Sequence, residues 1–172
     1  MKTLDALIRR VPDFPQPGIV FCDIAPLLAD AAAFSRCIER MAAPWRDAGV
    51  QAVCGIESRG FIFGAALAQA LRAGFVPLRK PGKLPPPVRG VDYQLEYGSD
   101  RLEVPAGALA SAERVLIVDD VLATGGTLAA ARELVEMLGV SLLGASVVIE
   151  LDALHGRQRW HGTLPLHSVL HC

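Results

Sequence analysis

Apolar residues gather along this chain in two rhythms. Four short continuous runs, Ala52 to Ile56, Phe75 to Leu78, Val115 to Val118 and Ala145 to Ile149, read as buried strands. Three of them are rich in β-branched residues, as parallel strands covered on both faces tend to be. Between the runs the spacing changes. Phe61 to Leu71 keeps apolar residues at helical intervals, and Leu128, Ala131, Leu134, Val135 and Leu138 lie on an i, i+3, i+4, i+7 stripe, with Gly74 and Gly139 placed to stop the two helices. Strand alternating with helix predicts an α/β fold, a parallel sheet flanked by helices and joined by right-handed crossovers. Ligands of such sheets collect beyond the carboxyl ends of the strands, so the site is expected just after Ile56, Leu78, Val118 and Ile149.

The remaining pattern adds two appendages to that sheet. Leu4 to Arg10 and Phe34 to Arg46 read as helices flanking an extended, proline-punctuated stretch, which makes an N-terminal flap of residues 1–30. Asp92 to Val104 reads as a hairpin-like excursion with Gly98 near its turn. The Pro- and Gly-rich segment 81–90 precedes it, and Pro85, Pro86 and Pro87 favour an extended polyproline stretch there.

At 172 residues, 52% of them hydrophobic, the chain has the size and apolar content of one globular domain rather than a disordered segment. Charged residues interrupt every apolar run before the roughly 18 residues that a membrane span needs, and the opening MKTLDALIRR is charged where a signal peptide is apolar; a cytoplasmic location is expected. Lys plus Arg number 17 against 18 Asp plus Glu, with no long basic cluster, which argues against nucleic acid and for a small-molecule partner. Cys22, Cys37, Cys54 and Cys172 form no C-x-x-C pair and are read as buried or free thiols. His167 and His171, beside Cys172, lack a full ligand set for zinc.

Candidate chemistry concentrates in VLIVDDVLATGGT, residues 115–127: a strand, two carboxylates, a loop of small residues, then a helix. Ala123, Thr124, Gly125 and Gly126 leave backbone N–H groups unobstructed, Thr124 and Thr127 add hydroxyl donors, and the helix N-terminus adds its positive end, so the loop is an anion cradle. Asp119 and Asp120 repel phosphate and instead require hydroxyl donors or a divalent cation. A ribose 5-phosphate offers that combination. A second strand-to-helix turn, GIESRGFIFG at 55–64, sets Ser58 and Arg59 at the same sheet edge, where an arginine can hold a pyrophosphate through two N–H donors; Glu57 is read there as a helix-start residue. Arg79, Lys80 and Lys83 follow the next strand end and could supply counter-charge, and Phe21 within IVFC could stack on a flat heterocycle.

The 115–127 segment resembles the signature of the type I phosphoribosyltransferases, whose ligand is 5-phosphoribosyl 1-pyrophosphate. DFPQPGIVFCDI at 13–24, GFVPLRKPGKL at 74–84, YQLEYG at 93–98 and the GIESRGFIFG turn together resemble the adenine phosphoribosyltransferase family in order and approximate spacing, over about residues 11–155. The resemblance implies a type I sheet with a small N-terminal hood and a mobile β-loop lid over about 80–104. It implies Mg²⁺-dependent formation of AMP and pyrophosphate from adenine, a step of purine salvage, by a homodimer. By the same resemblance, Ala123 to Thr127 bind the 5-phosphate, Asp119 and Asp120 the ribose with the substrate's Mg²⁺ nearby, and Arg59, Lys80 and Lys83 the pyrophosphate. Glu96 assists proton transfer at the purine, Tyr97 shields the closed site, and Val20, Phe21, Cys22 and Leu151 hold adenine. Cys22 departs from the family, which commonly has arginine there. Two rivals stand beside this reading: a 6-oxopurine phosphoribosyltransferase, and a non-catalytic regulator that only binds phosphoribosyl pyrophosphate.

Overall fold

The computed structural model describes residues 3–94 and 98–172. In chain order its elements are β1 (Arg9–Pro12), β2 (Val20–Asp23), α1 (Ala25–Ala29), α2 (Ala31–Ala42), β3 (Ala52–Ile56), α3 (Gly60–Leu71), β4 (Gly74–Leu78), β5 (Val88–Gln94), β6 (Ser99–Pro105), β7 (Arg114–Leu122), α4 (Gly126–Met137), β8 (Ser141–Glu150) and β9 (Leu166–His171). A parallel sheet in the order β4-β3-β7-β8-β9 forms the centre, and β1-β2 and β5-β6 form two separate antiparallel pairs.

Alternation along the central strands sends apolar side chains to both faces. Val53, Leu116, Val118 and Val148 pack with Met41 of α2 and Phe63 and Leu67 of α3. Cys54, Ile56, Val115, Ile117, Ala145 and Val147 pack with Leu128, Leu134 and Val135 of α4 and with Leu102 and Val104 of β6. Burial on both faces is the reason these runs read as continuous apolar stretches.

The strands differ from the sequence reading mainly in length. Ala52–Ile56 is as expected, but β7 continues through Asp119 and Asp120 to Leu122, because its ladder with β8 pairs Asp119 with Val147 and Leu122 with Glu150. The two carboxylates therefore belong to the strand's last residues and do not follow it. A fifth parallel strand, β9, has no counterpart in the expected set; its alternating Leu, His, Ser, Val, Leu, His pattern is only half-buried and carries a weak apolar signal.

Helix boundaries move for identifiable reasons. The expected helix Leu4 to Arg10 is one 3₁₀ turn, Asp5–Leu7, after which Arg9–Pro12 pairs with β2 and Arg9 Nε donates to Asp23 at 3.0 Å. One turn buries Leu4 and Leu7, and cross-strand pairing takes the rest. The helix expected over Phe34 to Arg46 begins earlier, at Ala31, since Asp30 caps it by accepting the Ala33 N–H at 2.9 Å. It ends at Ala42, and Ala43–Trp45 tightens into a 3₁₀ turn that buries Trp45. α3 stops at Arg72, at φ 56°, so Gly74 opens β4 instead of ending the helix. Gly139 ends α4 as expected, at φ 75°. The hairpin is longer than expected, Val88 to Pro105, and Gly98 at φ 86° lies in its connection. Pro86 and Pro87 form bends ahead of β5 in place of the extended polyproline stretch.

Cys37 and Cys54 are buried free thiols, each pushed up to about 12 by burial. Cys22 and Cys172 are instead joined in a disulfide across 150 residues, a separation at which sequence spacing carries no pairing signal. The fold brings them together because Cys22 lies on β2 and Cys172, directly after β9, donates its N–H to Glu150 O at 2.9 Å. Among the described residues, no helix is long and apolar enough to cross a membrane.

Candidate active site

The loop between β7 and α4 encloses a cavity of about 70 Å³ lined by Asp119 and residues 121–128, so all five expected cradle residues, Ala123 to Thr127, face one space. Gly125 is required twice over: its φ of 82° disfavours any side chain, and a Cβ there would lie 2.2 Å from Gly156 O. Gly126 starts α4, a 12-residue helix whose free N–H groups and dipole favour an anion at this end.

Asp119 and Asp120 stand side by side at the cradle's rim. Asp120 is buried, and its N–H donates to Asp119 Oδ1 at 2.8 Å. Burial pushes both carboxyls up, Asp119 further because the Asp120 charge adds to it, while Arg59 opposes the rise. Arg59 Nε lies 2.6 Å from Asp120 Oδ2, off the N–H axis, so the contact is electrostatic and Oδ2 has no hydrogen-bond donor among the described residues. A buried acceptor of this kind suits a ligand hydroxyl or a divalent cation. Arg59 also lies over the Phe21 ring, 5.4 Å from its centroid, and so joins the carboxylate pair to the β1-β2 pair.

The neighbouring strand ends are cross-tied. Glu57 accepts the Lys80 N–H at 2.8 Å and the Arg79 guanidinium at 3.2 Å. Burial alone would raise the Glu57 carboxyl, but these donors hold it below its ordinary value. Glu57 thus fastens β3 to the start of the loop after β4, a role beyond its expected one at a helix start. Lys80 forms a hydrogen-bonded ion pair with Asp100 of β6 and donates to Tyr93 Oη of β5 at 2.8 Å. Against the effect of burial, these partners raise the Lys80 ammonium above its ordinary value. Tyr93 Oη lies 3.4 Å from Thr127 Oγ1, which links the β5-β6 pair to the cradle. Lys83 is exposed, and its backbone carbonyl accepts from Arg79 at 3.1 Å.

On the third side, Val20 is exposed, Phe21 is half-buried with Phe14 edge-on at 5.3 Å, and Cys22 is buried in its disulfide. Leu151 follows β8, donates its N–H to Leu122 O at 2.9 Å, and packs in the same apolar cluster as Cys22 and Cys172. The disulfide fixes the Cys22 side chain, so its sulfur is not free to meet a ligand.

The structure therefore gathers Asp119, Asp120, Arg59, Phe21 and the cradle; it directs Lys80 toward Asp100 and leaves Lys83 at the surface. Glu96 and Tyr97 lie outside the described residues. Tyr93 and Asp100 escaped the sequence reading because an alternating strand shows no charge partner; the one available signal was their position within the loop rich in candidate ligands.

A profile of the phosphoribosyl transferase domain matches residues 28–163. The adenine phosphoribosyltransferase of Xanthomonas axonopodis pv. citri (strain 306) is 56% identical over 95% of this chain and 88% of its own length. Among solved structures, adenine phosphoribosyltransferase from Rhodothermus marinus is 48% identical with a TM-score of 0.91, covering 98% of this chain and 96% of that one. The Saccharomyces cerevisiae enzyme, complexed with an imino-altritol bisphosphate and adenine, is 40% identical with a TM-score of 0.90, covering 97% and 96%.

Proposed function

The chain belongs to the phosphoribosyl transferase family, among its adenine phosphoribosyltransferases, and from that premise we propose that it joins adenine N9 to the phosphoribosyl group of 5-phosphoribosyl 1-pyrophosphate. The products are AMP and pyrophosphate, a purine-salvage reaction. The observation that carries this reading is Arg59, which touches both the ribose-type carboxylate Asp120 and the aromatic ring Phe21 and so sets a sugar subsite beside a base subsite.

The cradle of residues 123–127 holds the 5-phosphate through backbone N–H groups and the Thr124 and Thr127 hydroxyls, and Asp119 and Asp120 accept the ribose hydroxyls. These contacts fix C1 of the ribose while its bond to pyrophosphate breaks and the bond to N9 forms. Most of the rate acceleration then comes from positioning and from stabilising charge at the leaving group. Arg59, released from Asp120, offers paired N–H donors to the pyrophosphate. Lys80 joins it by exchanging Asp100 for the anion, and Lys83 adds charge from the loop.

The buried, unsatisfied Asp120 Oδ2 beside the raised Asp119 carboxyl fits a divalent cation, so Asp119 and Asp120 would lie near Mg²⁺ carried by the substrate. Bound there, Mg²⁺ supplies neutralisation of the departing pyrophosphate. Adenine lies against Phe21, with Val20 and Cys22 reading it through their backbone groups and Leu151 covering it. Glu96 manages the proton of N9, and Tyr97 excludes water. Segment 80–104 acts as the lid and residues 1–30 as the hood of a single domain, which works as a cytoplasmic homodimer.

The test is nucleotide formation from phosphoribosyl pyrophosphate and Mg²⁺ with adenine, hypoxanthine and guanine supplied separately. AMP from adenine alone is expected. Product from hypoxanthine or guanine assigns the base pocket to 6-oxopurines, and tight substrate binding with no product from any base makes the chain a sensor.

A further inference from the structure

We propose that Arg159 is a ligand of the substrate's 5-phosphate, an inference that rests on the reading of residues 123–127 as the 5-phosphate cradle. Arg159 ends a 3₁₀ turn, Gly156–Arg159, that is pressed directly against that loop. A Cβ on Gly156 would lie 2.0 Å from Ala123 O, and one on Gly125 would lie 2.2 Å from Gly156 O and 3.2 Å from the Arg159 Cβ. Backbone packed this closely fixes the turn relative to the cradle.

The guanidinium reaches the helix end itself. A Cβ on Gly126, the first residue of α4, would lie 3.2 Å from Arg159 Nη1 and 3.4 Å from Gln94 O at the end of β5. Arg159 thus stands where cradle, helix start and hairpin meet, and it lines with Thr124 an adjoining cavity of about 360 Å³. Its neighbours in sequence and space have partners: Arg157 binds Glu150 and Ser168, and Arg132 binds Glu136 and lies over Trp160. Arg159 is exposed and makes no hydrogen bond or ion pair among the described residues.

The electrostatics supply the reason for a cation here. Asp119 lines the same small cavity as the cradle, so a phosphate dianion entering it meets a carboxylate at close range. Backbone dipoles offer only partial charge. A guanidinium offers a full charge and two N–H donors that match two phosphate oxygens.

Calorimetric titration of the full chain with ribose 5-phosphate and, separately, with pyrophosphate tests the assignment. Arg159→Ala keeps the Cβ that packs on Gly125, and it should weaken ribose 5-phosphate by about 10- to 100-fold while leaving pyrophosphate within about twofold. Arg159→Lys should recover part of the loss. Unchanged ribose 5-phosphate affinity in Arg159→Ala, or an equal loss for both ligands, overturns the proposal. A folded parent chain that binds no ribose 5-phosphate overturns the cradle reading beneath it.

Discussion

Asp119 lies beside Asp120 at the end of β7, with Gly60 so close that a Cβ there would be 2.8 Å from Asp119 Oδ1. The folded chain thus keeps a carboxyl whose ionisation burial and a like charge both oppose. Because its folded value is raised above the ordinary 3.8, this cost is absent below 3.8, grows as pH rises from there toward the raised value and levels off above it. Asp119→Asn should therefore raise the melting temperature of the ligand-free protein at pH 7 by about 2–6 °C and weaken ribose 5-phosphate at least about tenfold. A scanning melt with and without the ligand checks both, and a lower melting temperature at neutral pH counts against the electrostatic account. That this residue and the cradle residues meet at one cavity was legible in the sequence, because strand, carboxylates and small-residue loop are contiguous there. Arg159 was not: its relation to Gly126 exists only because Gly156 has no side chain to hold the turn away from Ala123.

Among the elements, the half-buried β9 is held to β8 by an ion pair as well as by its ladder. Arg157 Nε donates to Glu150 Oε1 at 2.9 Å, its other N–H groups reach Ser168 Oγ at 3.0 Å and Leu166 O at 2.8 Å, and Ser168 Oγ donates to Glu150 at 2.6 Å. The cluster joins the end of β8, the 3₁₀ turn and β9. The Arg157 side chain, chiefly, and Ser168 hold the Glu150 carboxyl below its ordinary 4.5, so this stability is present above that value and is lost as pH falls through the lower folded one. Arg157→Met should cost about 2 kcal/mol at pH 7, less than a fully buried pair because Arg157 is half-exposed, and the deficit should shrink below about pH 4. Urea unfolding at the two pH values measures it, and an equal deficit at both would show packing rather than charge. The central strands were legible because burial on both faces writes them as apolar runs. β9 and β1 were not, since long-range pairing and side-chain ties form them where local pattern is weak.

At the scale of the whole molecule, the Cys22–Cys172 disulfide joins the β1-β2 pair, where Phe21 meets Arg59, to the far edge of the sheet. Cys37 and Cys54 are too deeply buried, and too far from ionising, to compete for either sulfur. Constraint of so long a loop in the unfolded chain is worth up to about 5 kcal/mol. Reduction should accordingly lower the melting temperature by at least about 4 °C and add about 2 Da by intact mass. An unchanged melt on complete reduction would mean that the sheet alone positions β2. In any compartment kept reducing by thiols, the fraction of chains carrying the bond follows the redox poise there.

The same bond also closes residues 22–172 from a thread into a ring. A single proteolytic cut in the exposed loop of residues 81–87 opens that ring without dividing the molecule. The two pieces, one carrying β2 and the other β9, stay one covalent body until a reductant separates them.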